Sequence, residues 1–175
     1  MSMTRQLLLL RHAKSSWDDP SLADHERPLS KRGRKAAAAM RAAILSRGLS
    51  PDLALVSTAR RTRETFEALE PWPRSLRVIF PDALYQASPA AMLELLREVA
   101  PSRRCVLVVG HNPGLMELAS LLAGSDEGFL AQRLASGFPT GALAVFELMG
   151  PWSTIDAGAA KLMDFVTPRE LARGA

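Results

Sequence analysis

Two of the three histidines in this chain stand just past short apolar runs: His12 after Leu7-Leu8-Leu9-Leu10-Arg11, and His111 after Cys105-Val106-Leu107-Val108-Val109-Gly110. Arginines hold comparable places, Arg11 beside His12 and Arg60-Arg61 after Leu53-Ala54-Leu55-Val56-Ser57. A single histidine so placed is ordinarily a hydrogen-bonded structural residue. Two imidazoles and two guanidiniums at the ends of separate apolar runs are another matter, because together they repel a metal ion and attract a multiply charged anion. Phosphate is the natural ligand, since its oxygens match the forked donors of arginine. A neutral imidazole can attack phosphorus and hold the group as a phosphoramidate, dividing hydrolysis into two easier steps. In that chemistry His12 is the candidate nucleophile. Arg11, Arg61 and His111 neutralise charge on the transferring group, and neither a metal nor a cofactor is required.

These residues converge only if the apolar runs are strands of one sheet. Gln6 to Leu10, Leu53 to Val56, Leu76 to Phe80 and Cys105 to Val109 are too short for helices and suit buried strands. Between them lie helical stretches: Ala36 to Leu45, closed by Gly48; Arg60 to Leu69, stopped by Pro71; Pro89 to Val99; and Leu115 to Leu122. Ala142 to Leu148 and Lys161 to Val166 read as two further strands. This alternation predicts an α/β three-layer sandwich with a mainly parallel sheet flanked by helices. In such sheets ligands bind beyond the carboxyl ends of the strands, where the Arg11-His12, Ser57-to-Arg61 and His111-Asn112 segments would meet. The helix opened by Asn112-Pro113-Gly114 adds unpaired backbone N–H groups and the positive end of its dipole.

Composition bounds the alternatives. With 175 residues, 47% hydrophobic and 23% charged, the chain reads as a single folded domain over residues 1–175. Its 22 Lys and Arg against 18 Asp and Glu give a net charge of +4, which favours anionic partners. Much of the excess lies in Arg27, Lys31, Arg32, Arg34 and Lys35 and in Arg60, Arg61 and Arg63, whose plain reading is solvated helix faces. Trp17, Trp72 and Trp152 do not interleave with these clusters as base-stacking platforms would, so nucleic acid is not the expected partner. One cysteine, Cys105, excludes a disulfide framework. It lacks an arginine six residues on, so the cysteine-phosphatase loop is absent. Glycine-rich phosphate loops, dinucleotide turns, esterase elbows and zinc-protease motifs are absent too. No apolar run approaches the roughly 20 residues that span a bilayer, and the N-terminus has no leader-like segment. The expectation is a cytoplasmic protein without a membrane partner.

Leu9-Leu10-Arg11-His12-Ala13-Lys14 resembles the nucleophile motif of the histidine phosphatase superfamily, the phosphoglycerate-mutase-like proteins. Val56-Ser57-Thr58-Ala59-Arg60-Arg61-Thr62-Arg63-Glu64-Thr65 resembles its second motif, with Arg61 in the place of the phosphate-binding arginine. Val109-Gly110-His111-Asn112-Pro113-Gly114 resembles the third, whose histidine contacts phosphate and whose turn supplies backbone donors. Glu26-Arg27-Pro28-Leu29-Ser30 before Gly33, and Ala83-Leu84-Tyr85-Gln86-Ala87-Ser88, are most similar to the SixA-type phosphohistidine phosphatases. That resemblance implies removal of phosphate from phosphohistidine on a protein such as a histidine-containing phosphotransfer domain. It implies catalytic roles for His12, Arg11, Arg61 and His111, and substrate contacts for Arg27 and Asn112.

The departure from larger relatives is the leaving-group acid. Where those acting on esters carry a Glu or Asp, this chain reads Pro81-Asp82-Ala83-Leu84-Tyr85-Gln86, and Asp82, a loop aspartate before an apolar pair, reads first as a cap or turn residue, which leaves the acid unassigned. The P–N bond of phosphohistidine releases an imidazole more readily than an ester releases an alkoxide, so a strong acid becomes dispensable. The competing readings are a phosphatase for small phosphate esters using Asp82 or another carboxylate, and a noncatalytic module that binds a phosphorylated partner.

Overall fold

The computed structural model describes residues 4–173. Six strands form one sheet: β1 (Arg5–Arg11), β2 (Leu53–Val56), β3 (Arg77–Ile79), β4 (Cys105–Gly110), β5 (Leu143–Leu148) and β6 (Ala160–Val166). Their order is β3-β2-β4-β1-β5-β6, parallel throughout except at β5, which runs antiparallel to both neighbours. Side chains alternate across a strand, and the two faces of β1 are covered separately. Leu7 and Leu9 face a cluster with Leu93, Leu96, Leu115 and Leu118, whereas Leu8 and Leu10 face Met40, Ile44 and Phe66. These partners belong to α3 (Pro89–Arg97) and α4 (Gly114–Ala123) on one side, and to α1 (Lys31–Ser46) and α2 (Arg60–Glu67) on the other. The result is the three-layer arrangement expected from the alternating runs.

Local chemistry explains where the helices begin. Ser30 caps α1 by accepting a hydrogen bond from Gly33 N at 3.0 Å, so the helix starts five residues before the alanine run of Ala36 to Leu45. Gly48 closes it with φ of 63°. Ser88 caps α3 by accepting from Ala91 N at 3.2 Å, with Pro89 in the first turn. Two short helices, α5 (Phe129–Ala135) and α6 (Pro168–Arg173), lie outside the helical stretches that the sequence pattern predicts. The third strand is shorter than Leu76 to Phe80, because this outermost segment keeps only Arg77–Ile79 paired, with β2.

The register brings the chemistry to one edge. Arg11 pairs with Gly110 and Val56 with Val109, so His12, Ser57 and His111 each emerge just past the carboxyl ends of three adjacent strands. From β1 the chain departs toward the α1 face and from β4 toward the α4 face, which opens a crevice between two neighbouring strands.

Gly33 sets the wall of that crevice. A Cβ there would fall 2.1 Å from the Lys14 carbonyl oxygen, which is backbone and cannot swing away. Lys14 also accepts hydrogen bonds from Ser30 N at 2.9 Å and Ser30 Oγ at 3.0 Å, locking the segment after His12 onto the start of α1. Gly33→Ala is therefore expected to cost about 2–3 kcal/mol, as forced overpacking does. Chemical denaturation would show it as a lower midpoint with an unchanged slope.

Candidate active site

His12 is 8% exposed and His111 5%, and their ring centroids lie 5.3 Å apart, close to the spacing of the adjacent strands that carry them. His12 N donates to Gly110 O at 3.1 Å, continuing the β1–β4 pairing one residue beyond the strand. The His12 ring is fixed by Nδ1, 2.8 Å from the Ala13 carbonyl oxygen. A carbonyl only accepts, so Nδ1 carries the proton and Nε2 keeps its lone pair. Ala13 N in turn donates to Thr65 Oγ1 at 3.0 Å, and Thr65 Oγ1 donates to Arg61 O at 2.6 Å, tying the His12 segment to α2.

Arg61 projects inward from the first turn of α2, while its neighbour Arg60 turns outward to pair with Glu64 at 2.7 Å. Arg61 NH1 donates to Asp24 O at 2.6 Å and NH2 to Asp24 Oδ2 at 2.9 Å. Each terminal nitrogen bears two hydrogens, so one N–H on NH1 remains for an oxoanion, and the second on NH2 is free for one when His111 does not accept it. Arg61 NH2 also lies 3.4 Å from His111 Nδ1, whose Nε2 is 2.7 Å from Ser57 Oγ. Because a hydroxyl both donates and accepts, Ser57 lets His111 present Nδ1 as an acceptor to Arg61 or as a donor to a bound anion.

Arg27 is 7% exposed and held on three sides: NH2 donates to Ser15 Oγ at 2.6 Å, Nε to Ser16 O at 3.1 Å, and NH1 to Asp24 Oδ1 at 3.2 Å. The Trp17 ring stacks against its guanidinium. Arg11 NH1 donates to Phe138 O at 2.9 Å, and Asn112 Nδ2 donates to the same carbonyl at 2.9 Å. The structure thus gathers His12, His111, Arg61, Arg11 and Arg27 around one space, whereas Asn112 is half-buried and bonds through Nδ2 to the Phe138 loop. The helix that opens here, α4, has no side-chain cap on its first turn. Asp82 is exposed and begins the 3-10 turn Asp82–Leu84, whose end presents Tyr85.

Asp24 is the residue sequence reasoning missed. Its carboxylate bridges Arg61 and Arg27 and accepts from Tyr85 Oη at 2.7 Å. Burial pushes its pKa up, but the Tyr85 hydrogen bond, Arg61 and Arg27 together hold it down at about 2. The readable signal was its place three residues before Arg27 in a short turn, where the two side chains meet.

Burial, with the positive field of Arg61, Arg11 and Arg27, lowers the His12 pKa to about 4 despite the hydrogen bond to Ala13. Burial, with His12, Arg61 and Arg11, lowers that of His111 to about 3, only partly opposed by Asp24. Both imidazoles are therefore neutral at physiological pH. The sign for stability follows: between about pH 4 and 6.5 the unfolded chain binds the His12 proton and the folded chain does not, so stability falls as pH falls through that window. His12 alone contributes on the order of 3 kcal/mol to that loss. Tm measured from pH 7 down to 4 should drop accordingly. Inorganic phosphate or tungstate should offset part of the fall by favouring the protonated rings.

Cys105 lies buried in β4, where burial pushes its thiol up to about 12; it packs rather than reacts.

Residues 7–85 match the sequence model of the histidine phosphatase superfamily, branch 1. The "putative phosphohistidine phosphatase SixA" of Agrobacterium tumefaciens is 32% identical, with a TM-score of 0.81 over 95% of this chain and 100% of that one. The chain belongs to this superfamily. A protein of the same description from Nakamurella multipartitia is 29% identical, with a TM-score of 0.84 over 94% of this chain and 96% of that one. An uncharacterized protein of Mycobacterium tuberculosis H37Rv is 35% identical over 163 residues, covering 91% of this chain and all of the relative. Membership agrees with the architecture: the superfamily match begins in β1 and reaches Tyr85, spanning His12, Asp24, Arg27 and Arg61. No helix among the described residues is long and apolar enough to cross a membrane.

Proposed function

We propose that this histidine phosphatase superfamily member is a metal-independent phosphatase that removes the phosphoryl group from phosphohistidine on a protein. One observation carries the mechanism: His12 Nδ1 is committed to the Ala13 carbonyl, leaving a neutral Nε2 lone pair inside a ring of cations. Nε2 attacks phosphorus in line and forms a new P–N bond as the bond to the substrate imidazole breaks. The departing ring takes a proton from solvent. Arg11, Arg61 and Arg27 neutralise the nonbridging oxygens as charge redistributes, and His111 donates a hydrogen bond to one of them from Nδ1. Water then attacks the phosphorylated His12, releasing inorganic phosphate and returning Nε2 to its free state.

The substrate assignment rests on the similarity to proteins described as phosphohistidine phosphatases and on the acid chemistry of the site. The carboxylate bonded to the site arginines, Asp24, is ionised above about pH 2 and holds no proton to give an alkoxide. An imidazole leaving group asks far less of an acid. Asp24 acts instead to orient Arg61 and Arg27, and Asn112 helps hold the loop beside Arg11.

The deciding experiment offers the purified protein a phosphohistidine-bearing phosphotransfer protein and a panel of sugar phosphates, nucleotides and aryl phosphates. The expected result is a kcat/KM for the phosphohistidine protein well above that for every ester. Turnover confined to the esters would overturn the substrate. Binding of phosphorylated protein without any turnover would favour a recognition module.

A further inference from the structure

Beside the imidazole pocket lies a groove of about 920 Å³ that shares Arg11 and Asn112 with the site. It runs between α1 and α6 and along the Ser136–Thr140 loop, and Lys14, Arg32, Arg133, Arg169 and Arg173 line it together with Arg11. One carboxylate, Glu170, faces these cations, and it is already engaged by Arg133 and by Thr167 N and Oγ1. Among the described residues, Lys14, Arg32 and Arg169 make no side-chain hydrogen bond or ion pair. A single phosphoryl group held between His12 and His111 cannot engage cations spread along such a groove. Clustered like charges without counter-charges repel one another even where solvent screens them, and an anion in the groove relieves that repulsion.

We infer that this groove is a docking surface for an acidic segment of the protein that carries the phosphoryl group. The inference rests on the substrate reading above and adds what that reading lacks, a means of choosing among phosphorylated proteins. The volume lies at the upper end of small-ligand sites, which suits a chain segment better than one isolated charge. Single-stranded nucleic acid is disfavoured because the aromatic lining residues, Phe138 and Phe165, are each only 2% exposed and offer no stacking face. Across such an interface, separated charges act through steering and partner choice, and their effect is screened by salt.

The test measures binding, so that it stands apart from turnover. A fluorescein-labelled deca-glutamate peptide is titrated with wild type, with R32E/R169E, and with R74E/R77E, whose exposed arginines lie at the β3 edge of the sheet. Both double variants remove the same amount of charge. The expected result is about tenfold weaker binding for R32E/R169E at low salt and less than about twofold for R74E/R77E, with the difference shrinking as salt rises. R32Q/R169Q should fall between wild type and R32E/R169E, which separates lost attraction from misfolding. Equal weakening in both reversals would reduce the effect to net charge and overturn the proposal, as would undiminished binding in R32E/R169E. A labelled oligothymidylate that binds more tightly than the peptide and is lost in R32E/R169E would overturn the class of partner. Failure of the wild type to hydrolyse any phosphohistidine protein would refute the functional proposal separately, because the peptide titration does not depend on it.

Discussion

His12→Ala is expected to lower turnover of an activated aryl phosphate by about 10⁴-fold or more, because it removes the atom that bonds to phosphorus rather than a group that assists. Acid-labile labelled phosphoenzyme, readily trapped on the wild type by rapid quench at neutral pH, should vanish. The variant should still bind tungstate, since Arg61, Arg11, Arg27 and His111 remain to hold an oxoanion. His12 lies at a strand end with its ring in the crevice, so folding should survive the truncation. Near-normal turnover in a folded His12→Ala protein would refute covalent catalysis at this residue.

Arg61→Ala is expected to cost about 10²–10³-fold in kcat, the scale on which preorganised transition-state donors act. Arg61→Lys should recover only a small part of it, because an ammonium restores charge but not the fork that Asp24 orients through NH1 and NH2. A second consequence distinguishes this role from a merely structural one. Arg61 depresses the pKa of both His12 and His111 through its charge. Its removal should therefore raise both values toward 6.5, and with them the pH at which acid begins to protonate the imidazoles. Measured by NMR titration of the two rings, the shift should be upward in Arg61→Ala and largely absent in Arg61→Lys. Asp24 keeps Arg27 and Tyr85 as partners when Arg61 is lost, and at 44% side-chain exposure it is not stranded in the interior, so the stability cost should stay modest.

The strands and most helices were legible because their signals are local. Four consecutive leucines at Leu7 to Leu10 demand burial on both faces, and both faces are covered. Ser30 and Ser88 cap their helices in the structure, and the Ser30 cap places the start of α1 before its alanine run, whereas α2 opens at Ala59 without any side-chain cap from the Ser57-Thr58 pair ahead of it. The last helix carries a local signal in Thr167 and Glu170, which form a reciprocal cap, Thr167 N donating to Glu170 Oε2 at 2.9 Å and Glu170 N to Thr167 Oγ1 at 3.4 Å. Helix α5 had no comparable signal, since it opens at Gly128 without a side-chain cap and buries only Leu134 among its own residues. The basic clusters divided in a way composition could not show. Arg34 and Arg60 pair with Glu64 on the surface and Arg63 lies over the Phe80 ring, whereas Arg27 and Arg61 point into the crevice.

The chain's own order of residues determined which groups stand at strand ends, because apolar runs specify strands and the residue after each run must emerge at an edge. It thereby determined that two imidazoles and several guanidiniums belong to one α/β crevice, and which superfamily their motifs match. Only the tertiary structure decided the tautomer of His12, the hold of Asp24 on Arg61 and Arg27, and the unneutralised groove beside them. Each of those depends on side chains far apart in sequence meeting within hydrogen-bond or Coulomb range, and periodicity along a chain carries no record of such distances.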